Sequence, residues 1–312
     1  MVPVSGQAVT APQHIVLIAS TRRPEVLGRT VDSLRAQTIR PDLVVLGVAA
    51  DGDVPNAFRA DPWVRVVVGE RGSSVQRNTA FRSLEVLPDL VTFMDDDAVL
   101  ARDYIEKARA YMTGHPDVAL MTGLVVVDGA NEDREISRDE AAGALAAHRP
   151  TEFERDVRAA YGANMTARGA VVAGEPFDER LRLYAWQEDY DFSVRAGRLG
   201  RVVHYHGCVA VHLAVGSGRV DGRTLGFAQI VNPFYLWRKG TKSARQLVHD
   251  WAVYLGANVI HLRDRHRPDR EGRLHGNLLG LREVVLHGGR PEAVAALRRA
   301  PRPHVTTEEG HR

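Results

Sequence analysis

Cysteine is almost missing from this 312-residue chain. Cys208 stands alone, so no intrachain disulfide can form, and a reducing compartment is expected. Set within the apolar stretch from Val202 to Leu213, that thiol is expected to be a small buried core group without chemistry of its own. Long hydrophobic runs are missing too. None reaches the roughly 18 apolar residues needed to cross a bilayer. The opening segment MVPVSGQAVTAPQ has neither the basic start nor the sustained apolar stretch of a signal peptide. The expectation is a cytoplasmic protein, soluble or peripheral at the inner face of the plasma membrane. No Gly-Lys-Ser/Thr occurs, which excludes a P-loop, and no Gly-x-Gly-x-x-Gly follows the first apolar run, which argues against a dinucleotide cofactor.

A large charge of one sign is also lacking, since 41 Lys+Arg stand against 39 Asp+Glu. The balance is uneven along the chain, however. Arg238 to Arg312 carries 15 bases and 8 acids, leaving 26 bases and 31 acids before it. An acidic body with a basic tail implies an anionic partner for the tail. The tail has no run of aromatics between its basic residues that would stack on bases, so no nucleic-acid partner is expected. A membrane surface fits better. With 44% hydrophobic and 26% charged residues, the rest is ordinary for a globular protein with a sizeable core.

Apolar runs and helical patterns alternate in the first half. His14 to Ser20 is a short apolar run. Pro24 then occupies a first-turn position, and Leu27, Val31 and Leu34 follow at helical spacing. Further apolar runs cover Leu43 to Ala50, Val64 to Gly69, Leu90 to Met94 and Val118 to Val127. Helices are predicted over Ser73 to Leu87 and Ala101 to Gly114. Asp128 to Pro150 reads as a loop or lid. Tyr161 to Ala173 and Arg201 to Leu213 read as later strands flanking a helix from about Glu188 to Leu199. This is an α/β pattern with a mostly parallel sheet and helices on both faces. Beyond Arg219 the pattern turns helical, and between Ser243 and Leu262 the side chains of Leu247, Trp251, Tyr254, Leu255 and Leu262 share a face. The expected organisation is a flexible start (1–12), a catalytic domain (13–218), a helical extension (219–300) and a disordered tail (301–312).

The clearest chemical signal is Asp95-Asp96-Asp97, directly after the apolar run LVTFM. In open α/β sheets, ligands gather beyond the carboxyl ends of strands. Three adjacent carboxylates there repel one another unless a cation compensates, and carboxylate oxygens suit Mg²⁺ or Mn²⁺ bridging to phosphate. A second acidic group, Glu188-Asp189-Tyr190-Asp191, opens a helix. Acids are favoured in a first helical turn by the helix dipole alone, but Trp186 lies just before them, and a carboxylate near a metal-diphosphate site can accept a hydroxyl proton. His212 ends a later apolar run and offers a nitrogen ligand to the same cation if its strand lies beside the Asp97 strand. The loop GERGSSVQRN, with Arg71 and Arg77 ahead of a helix, suits a diphosphate.

In this order, the residues resemble a family 2 glycosyltransferase of the GT-A fold, over about His14 to Leu213. The features are the Thr21-Arg22-Arg23-Pro24 turn after the first strand, an acid after the second strand in AADGD, and Gly72, Arg77 and Asn78 in the next loop. Asp95 to Asp97, the Pro-Phe-Asp-Glu at 176–179, Glu188-Asp189 with Asp191, and His212 complete the series. The resemblance implies a nucleotide-sugar half at about 13–127 and an acceptor half at about 151–218. It implies donor contacts from Thr21, Arg23, Asp51, Arg77, Asp95 and Asp96, with Asp51 or Asp53 as the base contact. Mn²⁺ or Mg²⁺ would be held by Asp97 and His212, and the catalytic acids would be Asp189, Glu188 and Asp191. Trp186 and Glu188 would hold the acceptor.

The implied activity is inverting transfer from a nucleotide-diphosphate sugar to a saccharide or lipid-linked saccharide, in envelope or exopolysaccharide assembly. The Gln-x-x-Arg-Trp motif of polymerising synthases is missing, which favours single addition. A sugar-nucleotide nucleotidyltransferase and an inactive sugar-binding module are the alternatives.

Overall fold

The computed structural model describes residues 11–132, 134–216, 220–262 and 269–299. The expected disordered tail and most of the expected flexible start lie outside these residues. The chain divides into two compact units, Met1–Arg219 and Val220–Arg312.

The first unit opens as the sequence suggests, with β1 (His14–Ser20), α1 (Pro24–Arg35), β2 (Leu43–Val48), β3 (Val64–Val68), α2 (Ser73–Arg82) and β4 (Leu90–Asp95). It continues with β5 (Ala98–Leu100), α3 (Tyr104–Gly114), β6 (Val118–Asp128), α4 (Arg138–Ala147) and β7 (Glu154–Asp156). β8 (Asn164–Arg168), α5 (Gly169–Gly174), α6 (Glu188–Ala196) and β9 (Arg201–His212) complete it.

One sheet runs in the order β3-β2-β1-β4-β8-β6-β9-β5, with β7 pairing β9. Its first four strands are parallel. β8 then enters antiparallel to both β4 and β6, and β5 and β7 lie antiparallel to β9. The parallel reading thus holds for the β3-β2-β1-β4 half, while the other half is mixed.

Both faces of the sheet are covered, which is why its strands read as continuous apolar runs. Alternate residues of β1 serve opposite sides. Val16 and Ile18 join Leu27, Val31 and Leu34 of α1 and Tyr104, Ile105 and Met112 of α3. Ile15 and Leu17 join Ala80 of α2, Val171 and Val172 of α5 and Phe192 of α6. On that side Phe93 meets Phe177 edge-on at 5.0 Å, and Phe177 stacks on Phe192 at 4.5 Å. Cys208 is fully buried and free, as expected.

Two readings need correction, and two short strands left no signal to read. The expected loop over 128–150 contains α4, capped by the Ser137 hydroxyl on Glu140 N–H. Ala141 is its buried residue, so an Ala-rich segment gave almost no apolar period to read. The expected strand from Tyr161 to Ala173 is β8 followed by the short α5, and at their junction Gly169 packs so closely on Pro88 that a Cβ would lie 1.9 Å from its carbonyl oxygen. β5 and β7, at three residues each, are too short to show a period.

The second unit holds α7 (Gly222–Lys239), α8 (Ala244–Ile260) and α9 (Arg270–His287). α7 and α9 touch backbone to backbone: a Cβ on Gly226 would lie 2.0 Å from the Arg273 carbonyl oxygen, and one on Gly276 2.1 Å from that of Arg223. Only glycine permits that approach. On α8, Leu247 is buried and Trp251, Tyr254 and Leu255 are half-buried, whereas Leu262 lies past the helix end and is exposed. Among the described residues no helix is long and apolar enough to cross a membrane.

Candidate active site

The strand order reverses at β1, with β2 on one side and β4 on the other, so the carboxyl ends of these strands frame a crevice. Gln76 ties its floor together. Its side-chain amide donates to the carbonyls of Ser20 (2.7 Å) and Gly47 (2.8 Å), and its oxygen accepts from Gly72 N–H (3.0 Å). Gly47 is needed for this, since a Cβ there would lie 2.5 Å from the Gln76 carbonyl oxygen.

After β1 the chain turns through Arg22 at φ 60°, held by its N–H to Asp53 Oδ1 at 2.8 Å. Asp53 also accepts from Ala49 and Ala50 N–H at 3.0 and 2.9 Å and is buried, so its carboxylate is committed to the backbone. Asp51 is the exposed acid of the pair and is ion-paired with Arg59. The Thr21 hydroxyl makes a long contact of 3.4 Å to Gln76.

The three consecutive acids have three different environments. Asp96 points inward, buried beneath Arg23 and the Ser20 hydroxyl. Burial raises its carboxyl above the usual range, and Arg23 only partly opposes this. Asp97 accepts from Arg23 at 3.1 Å and from Val215 N–H at 2.9 Å, and its Oδ1 lies 3.4 Å from His212 Nε2. Burial would raise Asp97, but the hydrogen bond and charge of His212, then Arg23, hold it below the ordinary value. Asp95 is the more open one, 3.2 Å from Arg77 and 3.9 Å from His212 Nε2. For His212, burial works against the charged form, yet the bonds to Asp128 and Asp97 outweigh it and push its pKa up to about 10.

The strand that leads into the acids, β4, is separated from β9 by β8 and β6; it is β5, directly after Asp97, that pairs with the end of β9 and brings His212 to the acids. Asp95, Asp97 and His212 present ligand atoms that all lie within 4.8 Å of one another. Two carboxylates and an imidazole in so negative a field are a donor set that fits Mn²⁺ or Mg²⁺.

The second acidic group reaches the same crevice through Arg77. Its guanidinium donates to Glu188 at 2.8 Å, to Asp95 at 3.2 Å and to the Gly162 carbonyl at 3.2 Å, and it lies over the Phe177 ring at 5.2 Å. Arg77 is thus almost wholly enclosed, a brace between the acids rather than an open loop residue. Asp189 is fixed by two backbone donors, Gly162 N–H at 3.0 Å and Tyr190 N–H at 2.7 Å. Burial raises both Glu188 and Asp189 above the usual carboxylate range, with Arg77 pulling the other way.

Asp191 does not join them. It is fully buried and bonded to Arg195 Nε at 2.9 Å, and Arg195 continues to Glu175 at 2.7 Å. Of the three acids expected to be catalytic, it is the one the structure places in the core with Arg195 rather than beside Asp95 and Arg77. A helix's first turn presents successive acids on different faces, and here only one face meets the crevice.

The loop before α6 adopts left-handed backbone at Leu183, Ala185 and Gln187, with φ of 61°, 52° and 71°. Such conformations cost on the order of 1–3 kcal/mol each and cluster at functional sites. They carry Tyr184 and Trp186, whose rings stack at 6.1 Å. Asp128, Tyr161, Ser20, Gln76 and Tyr184 escaped the sequence reading. Asp128 alone had a legible signal, as an acid ending an apolar run.

The glycosyltransferase-like family 2 profile matches residues 12–227, more than half of the chain, which therefore belongs to that family. No curated protein sequence matches it. Among solved structures it is similar to GalNAc-T7 with UDP, GalNAc and Mn²⁺ (TM-score 0.53, 12% identity, 89% of this chain and 58% of that one). It is also similar to the mannosyltransferase PcManGT from Pyrobaculum calidifontis in complex with GDP-Man and Mn²⁺ (0.52, 16%, 93% and 79%). Likeness to S. aureus TarS covers 81% of this chain and 44% of that one at TM-score 0.50 and 14% identity. The chain thus spans only 58% of GalNAc-T7 and 44% of TarS. At these identities the likeness is one of fold, and the fold is GT-A.

Proposed function

We propose that the chain is an inverting glycosyltransferase that moves a sugar from a nucleotide-diphosphate donor onto an acceptor hydroxyl. The observation that carries this reading is the double engagement of Arg77, ion-paired at once with Asp95 and Glu188. It ties a cation-type cluster and a base-type carboxylate into one site.

On the donor side, Thr21 and Asp51 contact the base, Asp95 the ribose and Arg23 the diphosphate, with Asp96 orienting Arg23. As the bond from the anomeric carbon to the phosphate oxygen breaks, negative charge grows on the diphosphate; Arg23, paired with Asp96 and Asp97, is placed to face it, and Arg77 adds positive charge from behind Asp95. Asp97 and His212, with Asp95 beside them, would hold a divalent cation, Mn²⁺ or Mg²⁺, which would supply further positive charge for such a leaving group.

On the acceptor side, Asp189 takes the hydroxyl proton as the oxygen bonds to the anomeric carbon from the opposite face, which inverts that centre. A carboxyl raised by burial suits a base working near neutral pH. Glu188 and Trp186 hold the acceptor, a saccharide or lipid-linked saccharide of envelope or exopolysaccharide assembly.

The test is release of nucleoside diphosphate from a panel of UDP-, GDP- and dTDP-sugars, with Mn²⁺ and after chelation. Release from one donor that stops on chelation is expected. Release from none, or pyrophosphate chemistry instead, sinks the reading.

In the second unit, Trp237 is 40% exposed beside Arg238 and Lys239, and Val248, Val253, Val259 and Ile260 of α8 are exposed too. Apolar side chains beside basic ones support contact with an anionic lipid surface. Flotation with anionic liposomes tests this, and recovery only in the soluble fraction at low salt counts against it.

A further inference from the structure

His212 has two ring nitrogens with different neighbours. Nε2 faces Asp97 Oδ1 at 3.4 Å and Asp95 Oδ2 at 3.9 Å. Nδ1 lies 2.9 Å from Asp128 Oδ1 and 3.1 Å from the Tyr161 hydroxyl. The sheet makes this arrangement. Asp128 and His212 are Cα partners in the β6–β9 pairing, and β6 reaches that register through irregularities, the last between Val125 and Val127. Such bulges re-aim a side chain relative to plain alternation.

Asp128 is held in place from two further directions. Its Oδ2 accepts from the Tyr161 hydroxyl at 3.1 Å, and its Oδ1 accepts from Ala130 N–H at 3.0 Å. An ionised carboxylate can only accept. The contact at 2.9 Å is therefore Nδ1–H donated to Asp128. Nε2 is the nitrogen directed at Asp95 and Asp97, where a bound cation would take the place of its proton.

We propose that Asp128, steadied by Tyr161, is a positioning residue that fixes the ring and the Nδ1–H form of His212 and so sets the affinity of the site for a divalent cation. The inference rests on the metal reading above. It assigns a role to two residues outside the Asp95, Asp97 and His212 group. Carboxylates behind a ligating imidazole typically account for 10- to 100-fold in metal affinity.

Asparagine and alanine at position 128 separate this role from bulk and charge. In Asp128→Asn, Ala130 N–H requires the amide oxygen to keep the Oδ1 place, so an acceptor still meets Nδ1–H. In Asp128→Ala no acceptor remains on that side chain.

The experiment is titration of the full chain with Mn²⁺ alone, free Mn²⁺ being read by electron paramagnetic resonance, with circular dichroism to show that each variant is folded. The wild type is expected to bind Mn²⁺. Asp128→Ala should weaken binding about 10- to 100-fold, Asp128→Asn less than alanine, and Tyr161→Phe less than Asp128→Ala. Wild-type affinity in a folded Asp128→Ala overturns the positioning role while leaving the metal reading intact. Equal weakening by Ala and Asn overturns the hydrogen-bond argument. A larger effect of Tyr161→Phe than of Asp128→Ala overturns the assignment to Asp128. Failure of the wild type itself to bind Mn²⁺ removes the metal reading and this inference together.

Discussion

Replacing Asp189 by Asn exchanges one carboxylate oxygen for an NH₂ group, and both oxygens have work in the fold. Oδ2 accepts from Gly162 N–H at 3.0 Å and Oδ1 from Tyr190 N–H at 2.7 Å. Asparagine offers one acceptor, so one backbone N–H is left facing another donor. An unpaired part-buried N–H costs about 1–3 kcal/mol. For a unit of roughly 200 residues each kcal/mol corresponds to about 2–4 °C, so Tm should fall by about 2–12 °C, with the protein still folded at 25 °C. Loss of a positioned base lowers the rate about 10²- to 10⁴-fold, or about 3–5 kcal/mol of barrier. None of the groups assigned to the donor or the cation (Thr21, Arg23, Asp51, Arg77, Asp95, Asp96, Asp97 and His212) makes a hydrogen bond to the Asp189 side chain, so affinity for nucleoside diphosphate should not change. The assay is single-turnover release of nucleoside diphosphate from the donor found by the panel, alongside thermal unfolding and calorimetric titration. Turnover at the wild-type rate in a folded variant would refute the base assignment. Loss of nucleoside diphosphate binding would move Asp189 to the donor side.

Three further outcomes are expected. A Cβ at position 162 would lie 3.2 Å from Asp189 Oδ2, so Gly162→Ala should displace the base slightly and slow transfer less than Asp189→Asn does; a larger loss would mean that Gly162 serves something else. Gly47→Ala puts a Cβ 2.5 Å from the Gln76 carbonyl, backbone that cannot swing aside, so it should cost about 1–3 kcal/mol and weaken nucleoside diphosphate binding through Gln76 and Arg77, whereas an unchanged Tm would show that α2 yields freely. His14 is fully buried against Thr92 and, chiefly through burial, is held neutral with a pKa lowered to about 3. The unfolded chain takes up a proton below about 6.5 that the fold refuses, so this stability is present above that pH and is lost on acidification by about 1.4 kcal/mol per unit. Urea unfolding of His14→Gln at pH 7 and 5 should show a correspondingly flatter loss than the wild type, and parallel losses would exclude His14 as the acid-sensitive group.

What could be read from the residues alone was whatever burial writes into local order. β1, β2 and β4 are covered on both faces, so each is an unbroken apolar run, and the acids that follow them stood out by contrast. The pairing of Asp97 with His212 could be stated only as a condition on strand adjacency; β4 does not neighbour β9, and the contact comes instead through the short β5, which left no trace in the pattern. Asp189 and Asp191 look alike as acids opening one helix. Their roles part because Asp191 turns into the core toward Arg195 while Asp189 meets Gly162. Likewise Asp53 is taken up by three backbone N–H groups, and Asp51 is not. Asp128 and Tyr161 are 84 and 51 positions from His212 in sequence. Local pattern carries no record of such distances. Hydrophobic burial acts residue by residue and so leaves a periodic trace, whereas a hydrogen bond between strand ends exists only once pairing register and bulges have brought those ends together.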